Sequence, residues 1–161
     1  MENCRIIVVS DTHGSFHALY EIVQKHFEEA CCFIHLGDGC EEIDEIREIY
    51  PEIKLYSVCG NCDFVFSVPG SAELNLAGKR IFYTHGHLYG VKYGLDKLIA
   101  AAKNIDADIA LYGHSHQGYT GYEDGLYIMN PGSPVRPRNS GASYGVIDIT
   151  KAGIAMHLVK V

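Results

Sequence analysis

The first sixty residues alternate between short apolar runs and segments with helical spacing. Apolar, β-branched runs predict three strands, and apolar residues that recur every three to four positions predict two helices between them. The predicted strands span 5–10, 31–36 and 53–58, and the predicted helices span 18–27 and 43–50. Pro51 stops the second helix. A β-α-β-α-β order of this kind is typical of a parallel sheet covered by helices.

The second half of the chain has a different pattern. A hairpin is predicted over 73–84 around an Ala77-Gly78-Lys79 turn, and helical spacing returns from Leu95 to Ala102. Further strands are predicted at 109–112, 119–122, 126–129, 144–149 and 154–159. Their short turns indicate antiparallel pairing. The sequence therefore predicts a mixed α/β domain, with two sheets packed face to face and helices outside.

Length and charge limit the possible functions. A chain of 161 residues is about one domain, which we take to span 1–161. Thirteen Lys and Arg against twenty Asp and Glu give a formal charge of −7, so nucleic acid is a poor partner. We find no apolar run long enough for a membrane span and no signal-peptide core. The six cysteines are therefore expected to be free thiols, and a cytoplasmic location is predicted.

Polar residues follow five of the predicted strands, in each case next to a glycine. Since ligands of α/β sheets bind outside the carboxyl ends of the strands, these side chains are expected to converge. The candidate metal ligands are Asp11, His13, Asp38, Asn61, His85, His114 and His116. Seven such O and N ligands are too many for one tetrahedral ion and suit two divalent ions that share a carboxylate. The mixture of imidazole, carboxylate and amide favours Mn, Fe, Zn, Co or Ni over Ca or Mg.

The ordered motifs that carry these residues resemble those of the calcineurin-like metallophosphoesterases. They are DTHG, GDG, GNCD, THGH and GHSH, and a later NPGS with Pro137-Arg138 resembles the small single-domain phosphodiesterases of that superfamily. The resemblance implies a four-layer α/β/β/α sandwich of two mixed sheets and the hydrolysis of phosphate esters. It also implies that Asp11, His13 and His116 hold one metal, that Asn61, His85 and His114 hold the other, and that Asp38 bridges them.

The implied reaction is attack on a small phosphodiester by a hydroxide that bridges the two metals, with Mn²⁺ as the first choice of ion. Many members of the superfamily have a histidine where this chain has Cys62, which leaves the proton donor to the leaving group open. His87, Cys62 and a metal-bound water are candidates. Asp63 is expected either to orient the Asn61 loop or to be a solvated turn residue. Arg138 is a candidate phosphate ligand, and Arg136 is a weaker one.

Two other functions remain possible at this point. A relative of this fold is a scaffold subunit of the retromer coat, which binds partner proteins with weak or absent catalysis. A phosphomonoesterase could use the same site. Six tyrosines could stack a nucleobase or aryl group, although such residues are more often structural; they are Tyr83, Tyr89, Tyr93, Tyr119, Tyr122 and Tyr127. A homodimer is the default expectation for the oligomeric state.

Overall fold

The computed structural model describes residues 2–65 and 67–161, which form three α-helices, one 3₁₀ turn and ten β-strands. The helices are α1 (Phe16–His26), α2 (Cys40–Ile49) and α3 (Asp96–Asn104), and His87–Tyr89 forms the 3₁₀ turn. The strands are β1 (Cys4–Val9), β2 (Cys32–His35), β3 (Leu55–Ser57), β4 (Ser71–Leu76), β5 (Lys79–Thr84), β6 (Ile109–Leu111), β7 (Tyr119–Glu123), β8 (Leu126–Asn130), β9 (Ser143–Thr150) and β10 (Gly153–Lys160).

The strands form two mixed sheets of five strands each. The first sheet has the order β10-β9-β1-β2-β3, and the second has the order β4-β5-β6-β8-β7. The predicted β-α-β-α-β unit pairs in parallel, with Ile6 opposite Cys32 and Phe33 opposite Leu55. The pairs β7–β8 and β9–β10 are antiparallel as predicted, whereas β6 pairs in parallel with both β5 and β8. A parallel pair needs a crossover connection, which the segment containing α3 provides between β5 and β6 and the segment containing β7 provides between β6 and β8.

Side-chain alternation along the strands separates the core into layers. In β1, Ile6 and Val8 face the space between the two sheets, while Ile7 and Val9 pack under α1 and α2. A third cluster packs α3 on the outer face of the second sheet. Burial of each large aliphatic side chain contributes about 1.5–3 kcal/mol to folding. The layers therefore follow the predicted order α/β/β/α.

The carboxyl ends of the central strands of both sheets lie at one end of the sandwich. Backbone hydrogen bonds join the loops there: Asp11 N–H donates to the carbonyl of Gly37, and Gly113 N–H donates to the carbonyl of His85. This end of the molecule is where the candidate ligands were predicted to meet. No helix within residues 2–65 and 67–161 has the length and apolar character needed to cross a membrane.

Candidate metal centre

The structure brings all seven candidate metal ligands into one cluster. Around Asp11, the carboxylate Oδ1 lies 3.1 Å from His116 Nε2 and 3.5 Å from His13 Nε2. A second group forms around His85, whose Nε2 lies 3.0 Å from Asn61 Oδ1 and 3.2 Å from His114 Nδ1. These two groups match the two halves of the predicted ligand set.

Asp38 lies between the two groups. Its Oδ2 is 3.7 Å from His13 Nε2 on one side and 3.4 Å from His85 Nε2 on the other. Its other oxygen, Oδ1, accepts a hydrogen bond from the backbone N–H of Cys62 at 2.8 Å, which fixes the direction of the carboxylate. The carboxylate therefore faces both groups of candidate ligands.

Two polar features of the cluster fit a bound cation. Asp11 Oδ1 is fully buried and has no hydrogen-bond partner among the described residues, which is costly for a carboxylate oxygen. His13 Nε2 and His116 Nε2 face each other at 3.1 Å. Converging imidazole and carboxylate atoms of this kind are the donor set that divalent transition metals prefer. The residues present therefore fit the metals that the resemblance implies.

Backbone carbonyls fix the orientation of two of the imidazole rings. His85 Nδ1 lies 2.7 Å from the carbonyl of Leu36, and His116 Nδ1 lies 2.7 Å from the carbonyl of Arg136. Because a carbonyl can only accept, each Nδ1 carries the proton and each Nε2 presents its lone pair to the cluster when the ring is neutral. Hydrogen bonds of this kind are typical of metal-binding histidines.

Five of the seven residues have left-handed backbone conformations. The φ angles are 58° at Asp11, 44° at His13, 56° at Asp38, 68° at His114 and 57° at His116. Non-glycine residues rarely adopt this region, and such strain concentrates at functional sites. Glycine is needed beside them, because a Cβ on Gly60 would collide with Asp38 and a Cβ on Gly113 would collide with Ser10.

Asp63 holds two of the loops together. Its Oδ2 accepts the backbone N–H groups of Asp38 at 2.7 Å and Gly60 at 2.8 Å. Its Oδ1 accepts those of Gly39 at 3.0 Å and Cys40 at 3.1 Å. Both oxygens are thus engaged by main-chain donors, so Asp63 positions the loops of Asp38 and Asn61 and is not a freely solvated turn residue.

A second carboxylate, which the sequence analysis missed, holds the loop of His13. Glu42 on α2 is buried, and its Oε1 accepts the hydroxyl of Thr12 at 2.9 Å and the N–H of Gly14 at 2.6 Å. The buried His35 continues this network, with Nε2 at 3.0 Å from Thr12 Oγ1 and with Nδ1 accepting the N–H of Gly37. Glu42 lies one helical turn before Ile46 on the apolar face of α2. This spacing is the sequence feature that could have indicated the burial of Glu42.

The NPGS motif links the two sheets. Asn130 Nδ2 donates to the carbonyl of Gly113 at 3.2 Å and to Ser115 Oγ at 2.9 Å, which supports the loop of His114. Ser133 Oγ donates to the carbonyl of Asp11 at 2.8 Å and accepts the N–H of Arg136 at 2.9 Å. The motif therefore positions neighbouring loops through hydrogen bonds.

Burial and neighbouring charges shift the pKa values of residues in the cluster, some downward and some upward. Burial alone would raise the pKa of Asp11, but the neighbouring His116 and His13 hold it far below its usual range. Burial would lower the pKa of His85, but Asp38 and Asp11 raise it. At His114, burial and the nearby His85 lower the pKa to about 4. The carboxylates are thus kept ionised, as metal ligands need to be.

A cleft of about 450 Å³ opens onto the cluster. Cys62 and Arg138, both predicted site residues, line it, together with Arg136 and with Lys92, which the sequence analysis did not single out. The His87 ring lies next to the cluster, with its centroid 5.3 Å from that of His85. Lys92 follows the 3₁₀ turn at His87–Tyr89, for which the sequence pattern gave no signal.

The fold and this cluster define a class: an α/β/β/α sandwich that carries a candidate metal centre at the carboxyl ends of its strands. The model of the calcineurin-like phosphoesterase superfamily domain matches residues 4–152, so the chain belongs to that superfamily of metal-dependent phosphoesterases. The family predicted from the motifs is confirmed.

Named relatives agree with this assignment. The probable metallophosphoesterase YsnB of Bacillus subtilis is 32% identical over 146 residues, covering 89% of this chain and 83% of YsnB. The phosphodiesterase YfcE of Escherichia coli K12 is 28% identical over 173 residues, covering 89% of this chain and 87% of YfcE. Vacuolar protein sorting-associated protein 29 of Schizosaccharomyces pombe is 28% identical over 126 residues, covering 72% of this chain and 66% of that protein.

The fold also matches a solved structure. The crystal structure of a predicted phosphoesterase from Streptococcus pneumoniae superposes with a TM-score of 0.87 at 28% identity, covering 99% of this chain and 91% of that chain. The predicted four-layer sandwich of two mixed sheets is therefore confirmed.

Proposed function

We propose that this chain is a dinuclear-metal phosphodiesterase that hydrolyses small phosphodiesters. The observation that supports this most directly is the position of Asp38 between the two groups of candidate ligands. Asp11, His13 and His116 would hold one ion, and Asn61, His85 and His114 would hold the other, with Asp38 shared. Two divalent ions would supply Lewis-acid activation of water and would neutralise phosphate charge. Mn²⁺ is our first choice, and Ni²⁺, Co²⁺, Fe²⁺ or Zn²⁺ would fit the same donors.

The residues that line the cleft suit an anionic substrate. Arg138 and Lys92 border the cleft in a protein of net charge −7, so the cleft concentrates positive charge where the phosphate would lie. The backbone N–H of Arg138 donates to the carbonyl of His116 at 2.9 Å, which fixes the arginine beside the cluster. A planar guanidinium in this position can hold a phosphate through two parallel hydrogen bonds.

Neither candidate side chain is well suited to protonate the leaving group. Burial and the neighbouring Asp38 raise the pKa of the Cys62 thiol, and burial and His85 lower the pKa of His87. We therefore expect the rate to depend steeply on the pKa of the leaving group, with aryl esters cut much faster than alkyl esters. Rates for a series of aryl methyl phosphates would measure this slope, and a flat dependence would show that a strong acid exists.

Metal binding and activity can be tested together with single substitutions. Asp38→Ala and His114→Ala should abolish metal-dependent hydrolysis in single-turnover assays with metal added back, while circular dichroism stays unchanged. The matched control is His17→Ala, since His17 is exposed on α1 and is not one of the candidate ligands. Full activity of both variants, or equal loss in the control, would contradict the proposal.

The scaffold and phosphomonoesterase alternatives have direct tests. The relative in Schizosaccharomyces pombe supports a scaffold, but no ligand of the predicted set is missing here, which favours an enzyme. Elemental analysis of purified protein distinguishes the two, since a scaffold without ion binding would carry no stoichiometric metal. Rates on matched phosphate monoesters and diesters decide between the two esterase activities.

Three further predictions belong to this proposal. A cytoplasmic location is the first, and it predicts that all six cysteines stay free thiols in the purified protein. The predicted homodimer can be checked by sedimentation. The acidic net charge continues to argue against nucleic acid as a partner.

A further inference from the structure

A second cleft lies directly beside the candidate metal centre. It has a volume of about 380 Å³, within the range of small-molecule sites, and Lys92 and Arg138 border both this cleft and the one over the metal cluster. A molecule whose phosphate lies at the metal cluster could therefore extend past these two cations into the second cleft. We call this second cleft the arm cleft.

The charge of the arm cleft suits the phosphate end of such a molecule. Among the residues that the structure describes, its lining contains Lys92 and Arg138 and no Asp or Glu, although the chain has twenty acidic residues. Within residues 2–65 and 67–161, no ion pair involves either cation. Cations without carboxylate partners at the boundary of the two clefts are available to an anionic group.

The remaining walls suit a flat ring with a polar edge. Tyr119 on β7 leaves 42% of its surface exposed, and its phenol lies against Gly121, where a Cβ would collide with the ring. This packing holds the aromatic face in place before any ligand binds. Val91 and Leu95 add aliphatic surface to the lining, and the exposed amide of Gln117 can exchange hydrogen bonds with ring heteroatoms.

We propose that the arm cleft binds the nucleoside arm of a small phosphodiester, with the base against Tyr119 and the phosphate directed by Lys92 and Arg138 toward the metal cluster. This inference rests on the proposed phosphodiesterase function and names the substrate class of the same site. A base has a π-face that stacks on an aromatic side chain and edge atoms that an amide can recognise. A simple alkyl arm would use neither feature.

Two substrates with the same leaving group test the proposal. Thymidine 5′-(p-nitrophenyl phosphate) and methyl p-nitrophenyl phosphate both release p-nitrophenolate and differ only in the arm that stays on phosphorus. We expect kcat/KM to be at least about tenfold higher for the thymidine ester, as for one base–aromatic contact. Tyr119→Ala should remove this preference, and Tyr119→Phe should keep it.

The matched control is Tyr122→Ala, which removes an exposed ring from the same strand without touching either cleft. This variant should preserve the preference for the thymidine ester. Equal kcat/KM for the two esters in the unchanged protein would overturn the inference. An equal tenfold loss of kcat/KM for both esters in Tyr119→Ala would also overturn the inference.

A binding measurement separates this inference from the proposed function. Calorimetry with thymidine 5′-monophosphate and the Mn²⁺-treated protein should show binding that Tyr119→Ala weakens by about tenfold. If neither ester is hydrolysed but this binding is observed, the proposed function fails and the nucleoside site stands. If the methyl ester is hydrolysed but Tyr119→Ala leaves binding unchanged, the nucleoside site fails and the proposed function stands.

Discussion

The two sides of the candidate metal centre are built differently. The first-sheet loops, residues 10–15, 37–39 and 58–63, are held by the carboxylates of Glu42 and Asp63, which accept backbone N–H groups. The second-sheet loops, residues 85–95 and 113–118, reach farther into solvent, with Leu88 67% exposed and Tyr93 96% exposed. This contrast indicates that buried carboxylates fix the first-sheet loops, while the second-sheet loops supply the candidate ligands His85, His114 and His116 together with exposed surface that can contact a substrate.

The largest effect is expected from Asp63, which joins two first-sheet loops. Asp63→Ala leaves four backbone N–H groups without their acceptor, so we expect a loss of about 4 kcal/mol in the free energy of unfolding. Affinity for Mn²⁺ should fall about 100-fold, because Asp38 and Asn61 lose their support. Urea unfolding and calorimetry measure the two effects. Asp44→Ala, which removes an exposed acid from α2, is the control, and equal effects in both variants would contradict the prediction.

The buried His35 should make stability depend on pH. Burial lowers the pKa of His35 to about 4 in the folded protein, against about 6.5 when unfolded. The unfolded chain therefore binds one more proton between these values, and up to about 3 kcal/mol of stability is lost as pH falls from 6.5 to 4. Urea unfolding at several pH values should show this slope in the unchanged protein and a flatter one in His35→Gln. Identical slopes for the unchanged protein and His35→Gln would contradict the assignment of this pH dependence to His35.

Glu42 should affect one of the two proposed ions more than the other. Glu42→Ala frees Thr12 and Gly14 on either side of His13, so we expect about 2 kcal/mol less stability and about tenfold weaker binding of the ion that His13 would hold. The ion near His114 should bind as before. Two-site calorimetric titration with Mn²⁺ checks this, and Glu42→Gln, which keeps an acceptor oxygen, should restore most of the affinity. Equal weakening of Mn²⁺ binding at both sites in Glu42→Ala would contradict this prediction.

The smallest effect on stability is expected from Lys92, in the second-sheet loops. Lys92→Ala should change the free energy of unfolding by less than about 0.5 kcal/mol, because the side chain is exposed. It should raise KM for a phosphodiester a few-fold with little change in kcat, since it removes a charge that attracts the substrate. Steady-state kinetics test this. A large loss of stability in Lys92→Ala would remove the contrast between the two sets of loops.

Much of the fold followed from the sequence because local patterns determine it. The alternation of apolar strands and amphipathic helices gave the parallel unit of the first sheet, and each predicted strand overlaps a strand of the structure. The seven candidate ligands were found because each belongs to a short glycine-containing motif at a strand end. Such features are local, so a single sequence reveals them.

The supporting residues could not be identified in the same way. Glu42, Thr12 and His35 interact only after α2 packs beside the first loop, so the helical position of Glu42 could indicate its burial but not these partners. Lys92, which lines the cleft, lies in a segment whose only regular element is a short 3₁₀ turn without a clear periodic signal. Phe66, in the segment that follows Asp63, lies outside the described residues.

The left-handed conformations of Asp11, His13, Asp38, His114 and His116 have a thermodynamic consequence. Each costs about 1 kcal/mol relative to glycine at the same place, so the ion-free chain gives up about 5 kcal/mol to keep these side chains where they are. A descendant that no longer needed ions could recover that energy by accepting glycine at these positions. Reading which residues occupy the five left-handed positions is therefore a way to tell ion-binding members of this fold from those that have become purely structural.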